Sequence, residues 1–227
     1  MDTYYIDGEF VDDEKAFISA KDIIVLRGFG VFDFMITYNK RPFKLKEHVA
    51  RMENSARKIG LALHFSNEEI CAIVNDTVSH NSHHDESNVR IVYSGGISSD
   101  GVTPEGNGKL MVMVTPRHLN PESWYTDGAK AITADIERFL PDAKSTSYLN
   151  AVYALQLANR GDAIETVYVD RNNRVLEGTT SNIFFVQGDT LVTAGKDILS
   201  GITRSVVLDL AEDRFKVECR DIDRSEL

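Results

Sequence analysis

The sequence predicts an α+β fold. Strand-like and helix-like segments come in runs rather than in strict alternation, which favours segregated strands and helices over a doubly wound parallel sheet. A polar stretch at 116–127 carrying Pro116 and Pro121 interrupts the pattern and predicts an interdomain linker between a smaller N-terminal domain, 1–116, and a C-terminal domain, 128–227.

The elements follow in order. Thr3 to Ile6 and Glu9 to Val11 flank Asp7-Gly8, a dipeptide suited to a type I′ hairpin turn. Residues 31–38 (VFDFMITY) are β-branched and aromatic, and Asn39-Lys40 leads into a short partner run around Pro42 to Leu45, a second hairpin. From Lys46 to Gly60 the period becomes helical, with Val49, Met52, Ala56 and Ile59 on one side and Gly60 as the stop. Ser66 and Glu69 have the spacing of a capping box for a helix running to about His80. Strands at 89–94 and 109–115 come next. After the linker the pattern gives a strand near 129–136, a helix near 149–160, and strands near 165–169, 182–186 and 190–193. A helix at about 203–213 completes the series.

Composition narrows the function classes. The 227 residues suffice for a substantial hydrophobic core. Lys plus Arg total 25 against 35 Asp plus Glu, a net charge of −10, which disfavours nucleic acid and anionic membrane as partners. Cys71 and Cys219 are far apart and form neither a disulfide framework nor a zinc motif. The N-terminus shows no signal-peptide pattern and no apolar run reaches membrane-span length, so a cytoplasmic protein is expected. His80, His83, His84 and Asp85 look superficially like metal ligands, but the surrounding polar run reads as a solvated loop and no metal is expected. Gly28 and Gly30 lack the third glycine of a dinucleotide fingerprint and precede a strand.

Four motifs stand out by their order. They are His48-Val49-Ala50-Arg51 in the first long helix, Arg138 through Pro141 and Lys144 to Tyr148 and Asn150, Leu176-Glu177-Gly178-Thr179-Thr180-Ser181-Asn182, and Ser200-Gly201-Ile202-Thr203-Arg204 opening the last helix. Singly, each has a bland reading: a solvated arginine, a surface lysine, a turn, an N-cap. Together with Arg27-Gly28-Phe29-Gly30-Val31-Phe32-Asp33 they closely resemble the pattern of the class IV aminotransferases, enzymes that use pyridoxal 5′-phosphate (PLP). That family includes branched-chain aminotransferases, D-amino-acid aminotransferases and 4-amino-4-deoxychorismate lyases.

The resemblance implies the family's two-domain fold, a homodimer, and roles residue by residue. Lys144 becomes the lysine that carries the cofactor and shuttles the substrate proton. Glu177 becomes the carboxylate facing the pyridine nitrogen, and Arg51, Ile202 and Thr203 the ligands of the phosphate. Tyr148 and Asn182 flank the cofactor, and Phe32 lines the substrate pocket. The chemistry is consistent: an amine bonds an aldehyde only when unprotonated, an adjacent carboxylate stabilises a charged pyridine nitrogen, and a phosphate takes an arginine fork and helix-terminal N–H groups. The implied reaction moves an amino group between an amino acid, branched-chain or similarly apolar, and a 2-oxo acid such as 2-oxoglutarate, in ping-pong fashion. The lyase is the alternative within the family, and a non-catalytic member the alternative outside it.

Four departures bear on these expectations. Asp33 stands where glutamate is frequent, and Ile36 where branched-chain enzymes often carry arginine. The connection from Gly95 to Gly101 lacks the Arg-x-His pair of resembling D-amino-acid enzymes, which argues against D-specificity. Family members also continue past the point matching Ser225-Glu226-Leu227, so the C-terminal part is expected to be truncated relative to the family.

Overall fold

The computed structural model describes residues 1–227 and comprises two compact units, one of Met1–Leu119 with Ala143–Ser147, the other of Asn120–Asp142 with Tyr148–Leu227. The five residues 143–147 thus group with the first unit, although the sequence on either side of them belongs to the second.

In the first unit, strands β1 (Thr3–Ile6) and β2 (Glu9–Asp12) form a hairpin turned by Asp7 and Gly8, with φ of 46° and 108°. A short helix α1 (Ile23–Arg27) follows, which the periodicity did not announce because five residues are too few to show a period. Asp22 caps it by accepting from the Ile24 N–H at 2.9 Å, and Gly28 ends it in the left-handed region at φ 65°. Strand β3 (Gly30–Tyr38) turns through Asn39 and Lys40, both at positive φ, into the two-residue β4 (Arg41–Pro42). Helices α2 (Leu45–Lys58) and α3 (Asn67–His80) come next, the second with the Ser66–Glu69 capping box formed in both directions. Strands β5 (Ser87–Ser94) and β6 (Leu110–Pro116) complete a six-stranded antiparallel sheet in the order β2-β1-β6-β5-β3-β4.

The inward residues of this sheet pack against α2 and α3. Val31, Met35, Val89, Ile91 and Val112 meet Val49, Met52, Ala56, Ile70 and Val74, all buried. Because side chains alternate along a strand, Asp33 lies on the same core-facing side of β3 as Val31 and Met35, and it is fully buried. A carboxylate in that position needs partners, and α2 supplies them.

In the second unit, a short helix α4 (Ser123–Thr126) lies within the expected linker segment. Strand β7 (Ala131–Asp135), helix α5 (Leu149–Arg160), β8 (Glu165–Val169) and β9 (Val175–Gly178) follow. The strands make one three-stranded sheet, β7 and β8 parallel and β8 and β9 antiparallel. Strands β10 (Phe184–Gln187) and β11 (Thr190–Ala194) form a hairpin, and α6 (Ile202–Ala211) leads to β12 (Lys216–Arg220), which pairs parallel to β11. Each parallel pair has a helix between its strands, as parallel pairing requires a long crossover. Neither β9 nor β12 is expected from the residue pattern, and Asn182, where a strand is expected to start, precedes β10. No helix is long and apolar enough to cross a membrane.

Candidate active site

Two sets of side chains, one in each unit, hold the residues singled out above. In the first unit, α2 presents His48 and Arg51, three residues apart, to the buried Asp33 of β3. Arg51 forks onto the carboxylate through Nε at 2.9 Å and Nη2 at 2.7 Å, and His48 Nδ1 lies 2.6 Å from Asp33 Oδ1. Burial by itself pushes the Asp33 carboxyl up, but the hydrogen bonds and positive charge of His48 and Arg51 outweigh it and hold the group below its ordinary value. The result is an anchored guanidinium at a fixed place on α2.

Ser55, one turn after Arg51, is fully buried. Its hydroxyl donates to the Arg51 carbonyl at 2.8 Å and accepts the Lys144 backbone N–H at 3.0 Å. Lys144 is further fixed by its carbonyl, which accepts from Phe32 N–H at 3.0 Å, and by a bridge between Val31 and Ser145. Thr146 closes the segment, donating its hydroxyl to Gly28 O at 2.6 Å and its N–H to Gly30 O at 2.9 Å. The Lys144 amine lies 4.6 Å from the centre of the Phe32 ring. Lys144, Phe32 and Arg51 are therefore brought together in one unit by short links through β3 and α2. Ser55 was missed from sequence; its place four residues after Arg51 on one helical face was the available signal.

In the second unit, Glu177 is buried on β9 and receives donors on both oxygens. Arg138 donates to Oε1 through Nη2 and through Nε at 3.0 Å. Asn182 Nδ2 at 3.2 Å and the Leu199 N–H at 3.0 Å donate to Oε2. Such a donor set suits an ionised carboxylate, which only accepts. Asn182 also donates to Leu199 O at 3.0 Å, so its amide ties β9 to the segment leading into α6. Arg138 additionally donates to the Pro141 carbonyl. The partnership of Arg138 with Glu177 spans 39 residues and left no trace in spacing.

Ile202 and Thr203 open α6 behind Gly201, which as cap residue offers no side chain to their N–H groups. A Cβ at position 201 would fall 2.0 Å from Asn182 Oδ1, so the close approach of the α6 entry to Asn182 requires glycine. Tyr148 sits at the N-cap of α5. Tyr168, on β8, has its phenol pushed up to about 12, foremost by burial, and so stays protonated at neutral pH.

A fit to PLP can be judged on these groups alone. The second unit offers an anionic, buried carboxylate for a protonated pyridine nitrogen, and a helix start whose N–H groups and dipole suit a phosphate. The first offers an amine on a segment held by backbone bonds and an anchored arginine. Taken by itself, each unit holds groups whose chemistry suits a part of the cofactor.

Comparisons with known proteins agree with this chemistry. The family model described as amino-transferase class IV matches residues 30–227. The chain is 34% identical over 216 residues to a putative branched-chain-amino-acid aminotransferase of Methanocaldococcus jannaschii, covering 92% of this chain and 74% of the relative. It is 31% identical over 234 residues to the D-alanine aminotransferase of Staphylococcus epidermidis, covering 96% and 79%. Against the aminodeoxychorismate lyase of Bacillus subtilis it is 29% identical over 216 residues, covering 92% and 73%. Among solved structures, the branched-chain aminotransferase of Thermoproteus uzoniensis with norvaline superposes with a TM-score of 0.91 at 27% identity, over 99% of this chain and 80% of that one. The branched-chain amino acid aminotransferase of T.th., complexed with N-(5′-phosphopyridoxyl)-L-glutamate, gives 0.91 at 28%, over 100% and 78%.

Proposed function

The chain belongs to the class IV aminotransferase family of PLP-dependent enzymes, and from that premise we propose that it transfers an amino group between a branched-chain or similarly apolar L-amino acid and a 2-oxo acid such as 2-oxoglutarate. When bound, PLP supplies an electron sink that stabilises negative charge at the substrate Cα. Lys144 would carry the cofactor, and its amine would hold and move the proton at that carbon. Glu177 keeps the pyridine nitrogen charged, a task supported by the donors from Arg138, Asn182 and Leu199, which fix the carboxylate as an anion. Arg51, Ile202 and Thr203 would take the phosphate, and Tyr148 and Asn182 would lie near the cofactor. Phe32, beside the Lys144 amine, lines the substrate side.

The observation that carries the reading is Glu177: a buried carboxylate held ionised by arginine, amide and backbone donors supplies the negative charge that a pyridinium partner needs. The substrate class is supported by the branched-chain relative and by the missing Arg-x-His pair between Gly95 and Gly101. Borohydride reduction of the PLP-loaded protein, followed by peptide mapping, is expected to find the cofactor mass on Lys144. The loaded enzyme is then assayed with L-leucine and 2-oxoglutarate, with D-alanine and 2-oxoglutarate, and with aminodeoxychorismate. Glutamate from the first pair supports the proposal. Pyruvate and 4-aminobenzoate from the last, without transamination of leucine, would replace it with the lyase reading that the Bacillus subtilis relative favours. We also read the enzyme as a cytoplasmic homodimer, which sedimentation at micromolar concentration tests for the oligomeric state.

A further inference from the structure

We propose that Asp2, His83 and His84 form a site for a divalent cation that prefers imidazole nitrogen, Zn²⁺ foremost, within the first unit. The Nε2 atoms of both rings converge on one carboxylate oxygen, Asp2 Oδ1, at 3.3 Å from His83 and 2.9 Å from His84, and the candidate ligand atoms all lie within 4.8 Å of one another. Tetrahedral zinc with bonds of about 2.0–2.2 Å separates its ligand atoms by roughly 3.3–3.6 Å. The cluster is therefore close to ligand spacing before any metal enters.

The fold prepares this arrangement. Asn81, buried at the end of α3, accepts the Thr3 N–H at 2.9 Å and donates to the Thr3 carbonyl at 2.7 Å, pinning the start of β1 beside the turn. That turn continues with Ser82 N–H to Ser79 O and His84 N–H to Asn81 O. Consecutive residues of a strand point to opposite faces, whereas here the turn sets the two imidazoles on one side with ring centres 4.1 Å apart. Burial is graded as an entry path needs: the side chains of Asp2 and His84 are 15% and 11% exposed and that of His83 is 50% exposed. Two imidazoles and a carboxylate, with a position left for water, suit zinc or nickel better than calcium or magnesium, which favour all-oxygen sites. By spacing alone His83 and His84 belong to a solvated loop beside Asp85; the third partner lies 81 residues before His83 and is invisible to spacing.

The test uses PLP-loaded protein without a polyhistidine tag, stripped with chelator and desalted, then titrated calorimetrically with Zn²⁺ and in parallel with Ni²⁺. One Zn²⁺ per chain is expected. H83A and H84A should each weaken binding by at least the roughly 10–100-fold that losing even an outer partner of a metal ligand costs. Both variants should keep the wild-type melting temperature in the absence of metal, and His83, being the more exposed, carries the test if H84A folds poorly. Absence of stoichiometric uptake, or uptake that survives in the H83A/H84A double variant, would overturn the proposal and leave a hydrogen-bonded cluster. Transamination of leucine enters neither outcome, so this site stands or falls apart from the proposed activity.

Discussion

Replacing Asp33 by asparagine keeps the shape of the side chain and removes its charge. In the wild type the carboxylate is fully buried and takes a fork from Arg51, whose side chain is only 11% exposed. The variant leaves that guanidinium buried without its counter-charge. Breaking a buried pair in this way costs about 3–5 kcal/mol, and the slight exposure of Arg51 points to the lower end. For a protein of this size a loss of about 3 kcal/mol lowers the melting temperature by roughly 6–12 °C. The pH dependence gives a sharper signature. Asp33 is held below its ordinary value of about 3.9, so its contribution is fully present above that pH and is lost as pH falls through the depressed native value. The gap in melting temperature between wild type and D33N is therefore present above about pH 5 and closes below about pH 4 as the Asp33 carboxyl is protonated. Because Arg51 is also the proposed phosphate ligand, PLP affinity should fall about tenfold, and D33E should recover much of both losses. Scanning fluorimetry and equilibrium PLP titration measure the two effects. A D33N protein that melts within about 2 °C of wild type and binds PLP equally well would refute the account of Arg51 as an arginine held in place by a buried carboxylate.

Three further outcomes are expected. S55A removes the acceptor for the Lys144 N–H and should cost about 1–3 kcal/mol in urea unfolding, with kcat falling more than KM rises because the amine is misplaced. G201A drives a Cβ into Asn182, which is held by two hydrogen bonds, so PLP affinity should drop about tenfold or more with the Lys144 linkage still formed on saturation. E177Q keeps the shape but not the charge facing the pyridine nitrogen, and single-turnover transamination should slow by about 100-fold or more while Lys144 still reacts with PLP.

Local chemistry made much of the first unit legible. Asp7-Gly8 and Asn39-Lys40 mark their turns, Ser66 and Glu69 form their capping box, and the helical period of Val49, Met52 and Ala56 faces the sheet. What escaped was governed by tertiary pairing. β9 is a four-residue strand containing Glu177 and Gly178, types with poor strand propensity, and donors from Arg138, Asn182 and Leu199 make a buried glutamate tolerable there. β12 reads as a charged tail because Lys216, Glu218 and Arg220 alternate on one face, where they pair with one another at 2.7 and 3.2 Å. At the site, an ordered pattern of motifs singled out Lys144, Glu177 and Arg51. Asp33 entered only as a departure from glutamate, although its alternation with Val31 and Met35 already marked it as a carboxylate facing the core.

The segment Ala143–Ser147 has a consequence for how the protein is made. Its bonds reach back from Lys144 to Ser55 across 89 residues and from Thr146 to Gly28 across 118. During synthesis, β3 and α2 leave the ribosome long before this segment exists, so the early chain must wait with those acceptors and donors facing water. The added closure entropy of so long a loop is small, but the delay is set by elongation, several seconds at ordinary translation rates. A nascent chain released before this segment is made would lack both the lysine and the bonds that tie the segment to β3 and α2.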